Sequence, residues 1–354
     1  MAQPVITSKF QFWVYRLSTI LKSLKTLYTL PPEKVDAFLN SYIIYDHDWA
    51  NEKELLAEWG PNYADAIQRK LVDYYSVLNH LCSIGQVEKM YIPPAIDLSK
   101  SIIANQKLFE KMMCDDLRLA PGQTVLDIGC GRGRVANHMA QMSGAHLVGM
   151  NIDPDQLDSA RKFASAHGLS HRCEFIKGDL NHIPYNFPEA SFDHIYEIQC
   201  VFSLSKDLLK SFKEIHRLLK PGGKFACLEW ASLDNYEPKN PHHADLMRRI
   251  KPLIGAIGTH SVEGCARKLE EAGFEIVKNE NASVGGLQSP LIENADKFFT
   301  RVTKAIHFLV RYKLLPAHFK SLFDRLVKDG EAFIEADRMG LVTTSHYFVA
   351  QKKK

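Results

Sequence analysis

Apolar positions change their period along the chain, and the changes divide it into three zones. In residues 1–100 they follow a helical rhythm. Phe10, Trp13, Leu17, Ile20, Leu21, Leu24, Leu27 and Tyr28 recur at steps of three and four, which predicts one helix that Pro31 and Pro32 stop. Two more helices are predicted near 33–45 and 62–80, and Tyr91-Ile92-Pro93-Pro94 reads as a loop or extended passage. In 101–231 short apolar runs at 124–129, 146–151, 173–178, 192–198 and 224–230 read as buried strands. Helical patterns at 133–142, 155–167 and 206–219 fill the gaps. Such alternation predicts an α/β fold with a parallel sheet covered on both faces. Pro221-Gly222-Gly223 reads as the turn into the fifth strand. The third zone, 232–354, begins polar and then predicts a helix near 261–272, a strand near 274–279, helices at 291–314 and 317–337, and a last strand at 343–350. Residues 285–340 therefore read as an insertion between the last two strands.

Composition narrows the class without naming it. With 354 residues, 45% hydrophobic and 24% charged, the chain is neither disordered nor a small disulfide scaffold. Its seven cysteines are widely spaced, show no Cys-x-x-Cys pair and suit reduced thiols in a cytoplasmic protein. No metal-ligand spacing appears, so no metal is expected. The net charge of +3 hides an uneven distribution. Residues 1–30 hold Lys9, Arg16, Lys22 and Lys25 with no acid, and 297–328 hold eight Lys+Arg against Asp324 alone. The apolar N-terminal stretch is interrupted by Arg16, Lys22 and Lys25, so it reads as neither a membrane span nor a secretory signal.

The strongest local motif is Val125-Leu126-Asp127-Ile128-Gly129-Cys130-Gly131-Arg132-Gly133. A strand enters a turn of three alternate glycines, where a ligand can approach bare backbone. Asp127 would repel a pyrophosphate and attract an ammonium group, which sets the turn apart from the dinucleotide fingerprint.

This segment resembles the first motif of the class I S-adenosylmethionine-dependent methyltransferases. Further matches follow in order: Val148-Gly149-Met150-Asn151, Lys177-Gly178-Asp179-Leu180, Phe192-Asp193-His194-Ile195-Tyr196, and Leu218-Leu219-Lys220-Pro221-Gly222-Gly223. The resemblance implies a Rossmann-like class I methyltransferase sheet with an N-terminal helical lid and a C-terminal helical insertion. It implies S-adenosylmethionine as cofactor, with Asp127, Gly129, Gly131 and Gly133 holding its methionine part. Asn151 stands where many members place an acid on the ribose hydroxyls, with Asp153 two residues on. Asp179 and Leu180 take the adenine position, and Glu197 lies near the amino-acid end.

The flanks resemble sterol C-methyltransferases, through Phe225-Ala226-Cys227-Leu228-Glu229-Trp230, Asn240-Pro241-His242-His243, 261–277 and 343–352. Three family elements are absent. The aromatic Tyr-Glu-Tyr-Gly-Trp-Gly is replaced by Gly85 to Pro94. Glu-Ala-Thr-Cys-His-Ala-Pro is replaced by Gln199 to Ser205. The Gly-Asp-Gly loop is replaced by Gly255-Ala256-Ile257-Gly258. Methylating a side-chain alkene makes a carbocation that aromatic faces and carboxylates stabilise. Their loss points to a nuclear carbon such as C-4, which the nematode-type branch methylates, and there a base must remove a proton. Tyr91, Glu229 and His260 are the candidate catalytic residues, and Trp230 is a candidate for the substrate pocket. Three alternatives remain: a sterol or triterpene methyltransferase acting at C-24 of the side chain, a phosphoethanolamine-type small-amine methyltransferase, and a non-catalytic sterol-binding module. The basic amphipathic segments 10–28 and 298–311 are candidates for peripheral contact with the endoplasmic reticulum membrane. No nucleic-acid signal appears, and a homo-oligomer stays open.

Overall fold

All five strands expected in the central zone are present, and they join the last two in a single sheet. The computed structural model describes residues 9–47, 52–84, 89–256 and 258–353, the side chains of 9–13, 15, 16 and 52 excepted. The strands are β1 (Thr124–Ile128), β2 (His146–Asn151), β3 (Cys173–Lys177), β4 (Phe192–Ile198), β5 (Leu219–Ser232), β6 (Phe274–Asn281) and β7 (Val342–Lys352). Their order is β3-β2-β1-β4-β5-β7-β6. The first five run parallel, and β7 runs antiparallel to both β5 and β6.

Alternation along β1 shows how both faces are buried. Val125 joins a core with Phe109, Met139 and Leu157, while Leu126 joins one with Phe212, Ile215 and Leu269. The first core lies under α5 (Ile102–Leu117), α6 (Arg134–Ser143) and α7 (Pro154–Ala166). The second lies under α9 (Leu208–Leu218) and α11 (Val262–Glu271), beside a single turn, α8 (Val201–Leu204). Asp153 starts α7 by accepting from Asp155 N and Gln156 N, with Pro154 in the first helical turn.

Some boundaries differ from the sequence expectation. Pro221-Gly222-Gly223 lies inside β5, where pairing jumps from Phe192↔Leu219 to His194↔Lys224; the segment is a bulge and not the entry turn. The helix expected over 317–337 is two, α13 (His318–Val327) and α14 (Gly330–Arg338), because Asp329 turns left-handed at φ 70. Four helices carry no expectation from the sequence: α3 (Glu52–Trp59), α5, the single turn α8 and α10 (Pro241–Ile254).

A helical cap covers the carboxyl ends of the strands. Helices α1 (Lys9–Tyr28), α2 (Pro32–Ser41) and α4 (Tyr63–Ile84) pack with α12 (Ser289–Arg311) and α13 around Leu27, Phe38, Tyr74, Ile306, Phe319 and Phe323. Each fully buried phenylalanine there contributes about 2 kcal/mol by leaving water. The N-terminal helices and the α12–α13 segment thus meet in one layer above the sheet.

Candidate active site

The turn after β1 is shaped by its neighbours. Gly129 has φ 77, and a Cβ there would lie 2.2 Å from Cys200 Sγ. Gly129 N and Cys130 N both donate to Met150 O, which holds the turn against β2. Gly129 and Gly131 line the cavity described next. Gly133 does not. It opens α6, and a Cβ there would meet Ala160 and Phe175 at 2.7 Å, so its bareness serves helix–sheet packing.

Two adjoining cavities open from this turn. The smaller, about 70 Å³, is lined by Lys89, Met90, Tyr91, Asp127, Arg132 and Arg134 among others. Asp127 is buried, accepts a 2.8 Å hydrogen bond from the Tyr196 hydroxyl, and is pushed up to about 7 by burial. A cation beside it would restore its charge. Behind it Glu110, fully buried, meets Lys89, His138 and the Tyr91 hydroxyl. Carboxylate and cations side by side complement a zwitterionic amino-acid group.

The larger cavity, about 1390 Å³, exceeds the roughly 300–1,000 Å³ of ordinary ligand pockets. Asn151, Asp179 and Leu180 line one wall. Asn151 Nδ2 is buried without a partner among the described residues, a donor aimed at a missing acceptor such as a hydroxyl. Asp179 Oδ1 accepts from Asn181 N at 2.9 Å, and its Oδ2 accepts from Gln68 Nε2 of α4 at 3.2 Å. Asp153 is fully engaged as the α7 cap and with Gln156, so it does not stand in for the ribose acid. Asp127, the bare glycines and Asn151 together fit a nucleoside-bearing amino acid.

Of the other candidates, only His260 faces the large cavity. Its imidazole points one nitrogen at the Phe202 carbonyl, and burial lowers it to about 4, leaving it neutral at pH 7. Tyr91 lies in the small cavity with its hydroxyl given to Glu110 at 2.7 Å. Burial and Glu110 raise its phenol far above the ordinary value, which removes it as a base. Glu229 is wholly buried and accepts from Phe202 N, Ser203 Oγ and Trp230 N, so it points under α8 and away from the cavity. Glu197 is its buried partner and accepts from Cys200 N and Val201 N. Burial and mutual repulsion keep a proton on the pair, raised most on Glu197. The two carboxyls therefore tether the β4–α8 turn and line neither cavity. Trp230 packs with Leu246, Ile250 and Phe333 beneath α10 and α14 and lines neither cavity. The replaced stretch at Gly85–Glu88, and Ile257, lie outside the described residues.

Sequence reasoning passed over residues that the fold brings in. Gln199, left-handed at φ 51, binds Ile92 N, Ile92 O and Thr344 O and seams the loop before α5 to the strand ends. Arg132 Nη1 donates to Ser83 Oγ of α4 at 2.7 Å. Tyr75, also on α4, lines the large cavity.

The methyltransferase domain family matches residues 125–223, from β1 to the bulge of β5. The cycloartenol-C-24-methyltransferase of Arabidopsis thaliana is 26% identical over 85% of this chain and 90% of its own. The sterol 24-C-methyltransferase of Gibberella zeae is 29% identical over 77% and 73%. The chain is similar to the sterol C-methyltransferases over most of its length. It is a class I S-adenosylmethionine-dependent methyltransferase, and S-adenosylmethionine is its cofactor. Solved structures share the fold. A cyclopropane synthase of Mycobacterium tuberculosis superposes with TM-score 0.62 at 16% identity, covering 75% of this chain and 90% of its own. A geranyl diphosphate C-methyltransferase of Streptomyces coelicolor gives 0.55 at 14%, covering 75% and 93%.

Proposed function

We propose that this enzyme methylates a carbon of a sterol, and that the carbon belongs to the ring nucleus, such as C-4, and not to the side chain. The observation that carries the reading is His260, a neutral imidazole in the same cavity as Asn151 and Asp179. A nuclear carbon becomes a nucleophile when a base removes its proton next to a carbonyl or enol. Side-chain methylation instead needs anions facing a carbocation. Glu197 and Glu229 are turned away from the cavity, and of its lining carboxylates Asp65 and Asp234 are exposed at the rim. Bound S-adenosylmethionine supplies an electrophilic methyl group. Asp127 would hold the amino-acid end, Gly129 and Gly131 would admit it, and Asn151 and Asp179 would take ribose and adenine. Residues 101–231 would form the cofactor core, 1–100 the lid, and 232–354 the part that completes the sheet and pocket.

The same reading brings the enzyme to a membrane surface, where its substrate dissolves. Leu17, Leu21 and Tyr28 of α1 stand 58%, 56% and 54% exposed. The α12–α13 loop adds exposed Tyr312 and Leu314, and the His318 ring donates to Leu27 O at 2.7 Å, joining the two patches. Lys22, Lys25, Arg311 and Lys313 are exposed and make no ion pair among the described residues. Apolar side chains flanked by unpaired cations suit an anionic bilayer such as that of the endoplasmic reticulum. No helix among the described residues is long and apolar enough to cross it.

Incubation with methyl-labelled cofactor and a panel of 3-keto, 3-hydroxy and side-chain-unsaturated sterols tests the carbon. Position-resolved NMR should find the new methyl on the nucleus. A methyl at C-24 overturns the reading.

A further inference from the structure

Tyr75 of α4 lines the large cavity from the side of the cap. Its neighbour Tyr74 is buried in the cap core and donates to Pro252 O at 2.9 Å. The two rings meet edge to face at 5.0 Å, which fixes the Tyr75 ring. The Tyr75 hydroxyl lies 2.8 Å from the place a Cβ would take on Gly255. It makes no hydrogen bond to any described residue. Cys200 and Glu229 stand near enough to act on its ionisation, and Cys200 is the residue pressed against Gly129. Tyr75 therefore hangs from α4 over the junction of the cofactor turn and the β5 end. Burial raises its phenol, so the proton stays in place for donation.

His260 approaches the same short loop. Its Nε2 lies 3.0 Å from the place of a Cβ on Gly258. The loop is bare at both points, so a donor and a neutral imidazole share one side of the cavity.

We propose that Tyr75 is a catalytic residue whose phenol donates to an oxygen on the ring carbon adjacent to the one methylated, while His260 takes the proton from the carbon that is to be methylated. The inference rests on the nuclear-carbon reading above. In this step the carbon–hydrogen bond breaks and a nitrogen–hydrogen bond forms on the imidazole nitrogen not directed at Phe202. The electron pair becomes the carbon–carbon double bond of an enolate. The charge gathers on the oxygen facing Tyr75, and the carbon is left nucleophilic. The phenol acts as an oxyanion donor.

Proton removal is measurable without methyl transfer. A 3-keto sterol is incubated with the whole enzyme in deuterium oxide, with no S-adenosylmethionine, and mass spectrometry follows exchange next to the carbonyl. The wild-type enzyme should accelerate exchange over buffer. Tyr75→Phe, which keeps the ring contact, should slow it about 100-fold with unchanged melting temperature and cofactor affinity. Gly255→Ala, which pushes a methyl against the hydroxyl, should slow it too, and His260→Asn should abolish it. Exchange in Tyr75→Phe at the wild-type rate overturns the inference. So does the absence of exchange in the wild type when NMR still finds the methyl on the nucleus. A methyl at C-24 instead brings down the functional reading beneath it.

Discussion

The Tyr196 hydroxyl donates 2.8 Å to Asp127 Oδ2, and it is the one side chain that counters the burial raising that carboxyl to about 7. Cofactor binding should be linked to this group. Below about pH 7 the free enzyme holds Asp127 neutral, and binding of an ammonium group must displace the proton from that carboxyl. Calorimetry should therefore show affinity for S-adenosylmethionine rising from pH 6 to pH 8, with protons released on binding. Tyr196→Phe should move the rise to higher pH. Asp127→Asn should weaken binding and flatten the profile. A wild-type affinity unchanged between pH 6 and 8 would contradict the role of Asp127.

Gly129 and Cys200 form a second checkable pair. Gly129→Ala places a Cβ 2.2 Å from Cys200 Sγ on a backbone at φ 77. Overpacking and strain each cost about 1–3 kcal/mol, so the variant should melt lower and lose cofactor binding. Adding Cys200→Ala should restore part of the stability, since it removes the sulfur and leaves the backbone strain. A double-mutant cycle reads the coupling.

The buried Glu197–Glu229 pair should make stability fall as pH rises. Its folded-state affinity for a proton is raised, so the stability present below the ordinary carboxyl range declines as pH climbs toward the folded value. Glu197→Gln mimics the protonated partner. It should match wild type in urea denaturation at pH 5 and exceed it at pH 8. Glu229→Ala leaves Phe202 N and Ser203 Oγ without acceptors, and should cost about 3 kcal/mol or more.

Docking to lipid is testable by flotation. Leu17→Glu with Leu21→Glu changes side chains that already face solvent, so folding and cofactor binding should persist. Recovery with anionic vesicles should drop, and equal recovery with the wild type would remove α1 from the contact.

Much of the fold was readable because strand periodicity and turn chemistry are local. Val125 and Leu126 alternate between two cores as their sequence implies. The cofactor turn was readable for the same reason. Helix α10 was missed although Asn240-Pro241 is a start signal: Asn240 Oδ1 accepts from His242 N and His243 N. The catalytic candidates fared worse, since a residue at a strand end has several directions open to its side chain. Glu229 and Trp230 follow one another on β5, yet one tethers α8 and the other fills the space below α10. Tyr75 was hidden because helical spacing does not show which of two adjacent tyrosines meets a partner and which meets a cavity.

Because Phe38 packs with Phe319 and Phe323 in one cap, the order of synthesis matters. Helices α1 and α2 leave the ribosome with their apolar faces uncovered, and their partners α12 and α13 are made long after them. At ordinary elongation rates that interval lasts on the order of tens of seconds. During it these faces can be held by a chaperone or by the lipid surface itself, so a nascent polypeptide has occasion to meet the bilayer before its pocket closes.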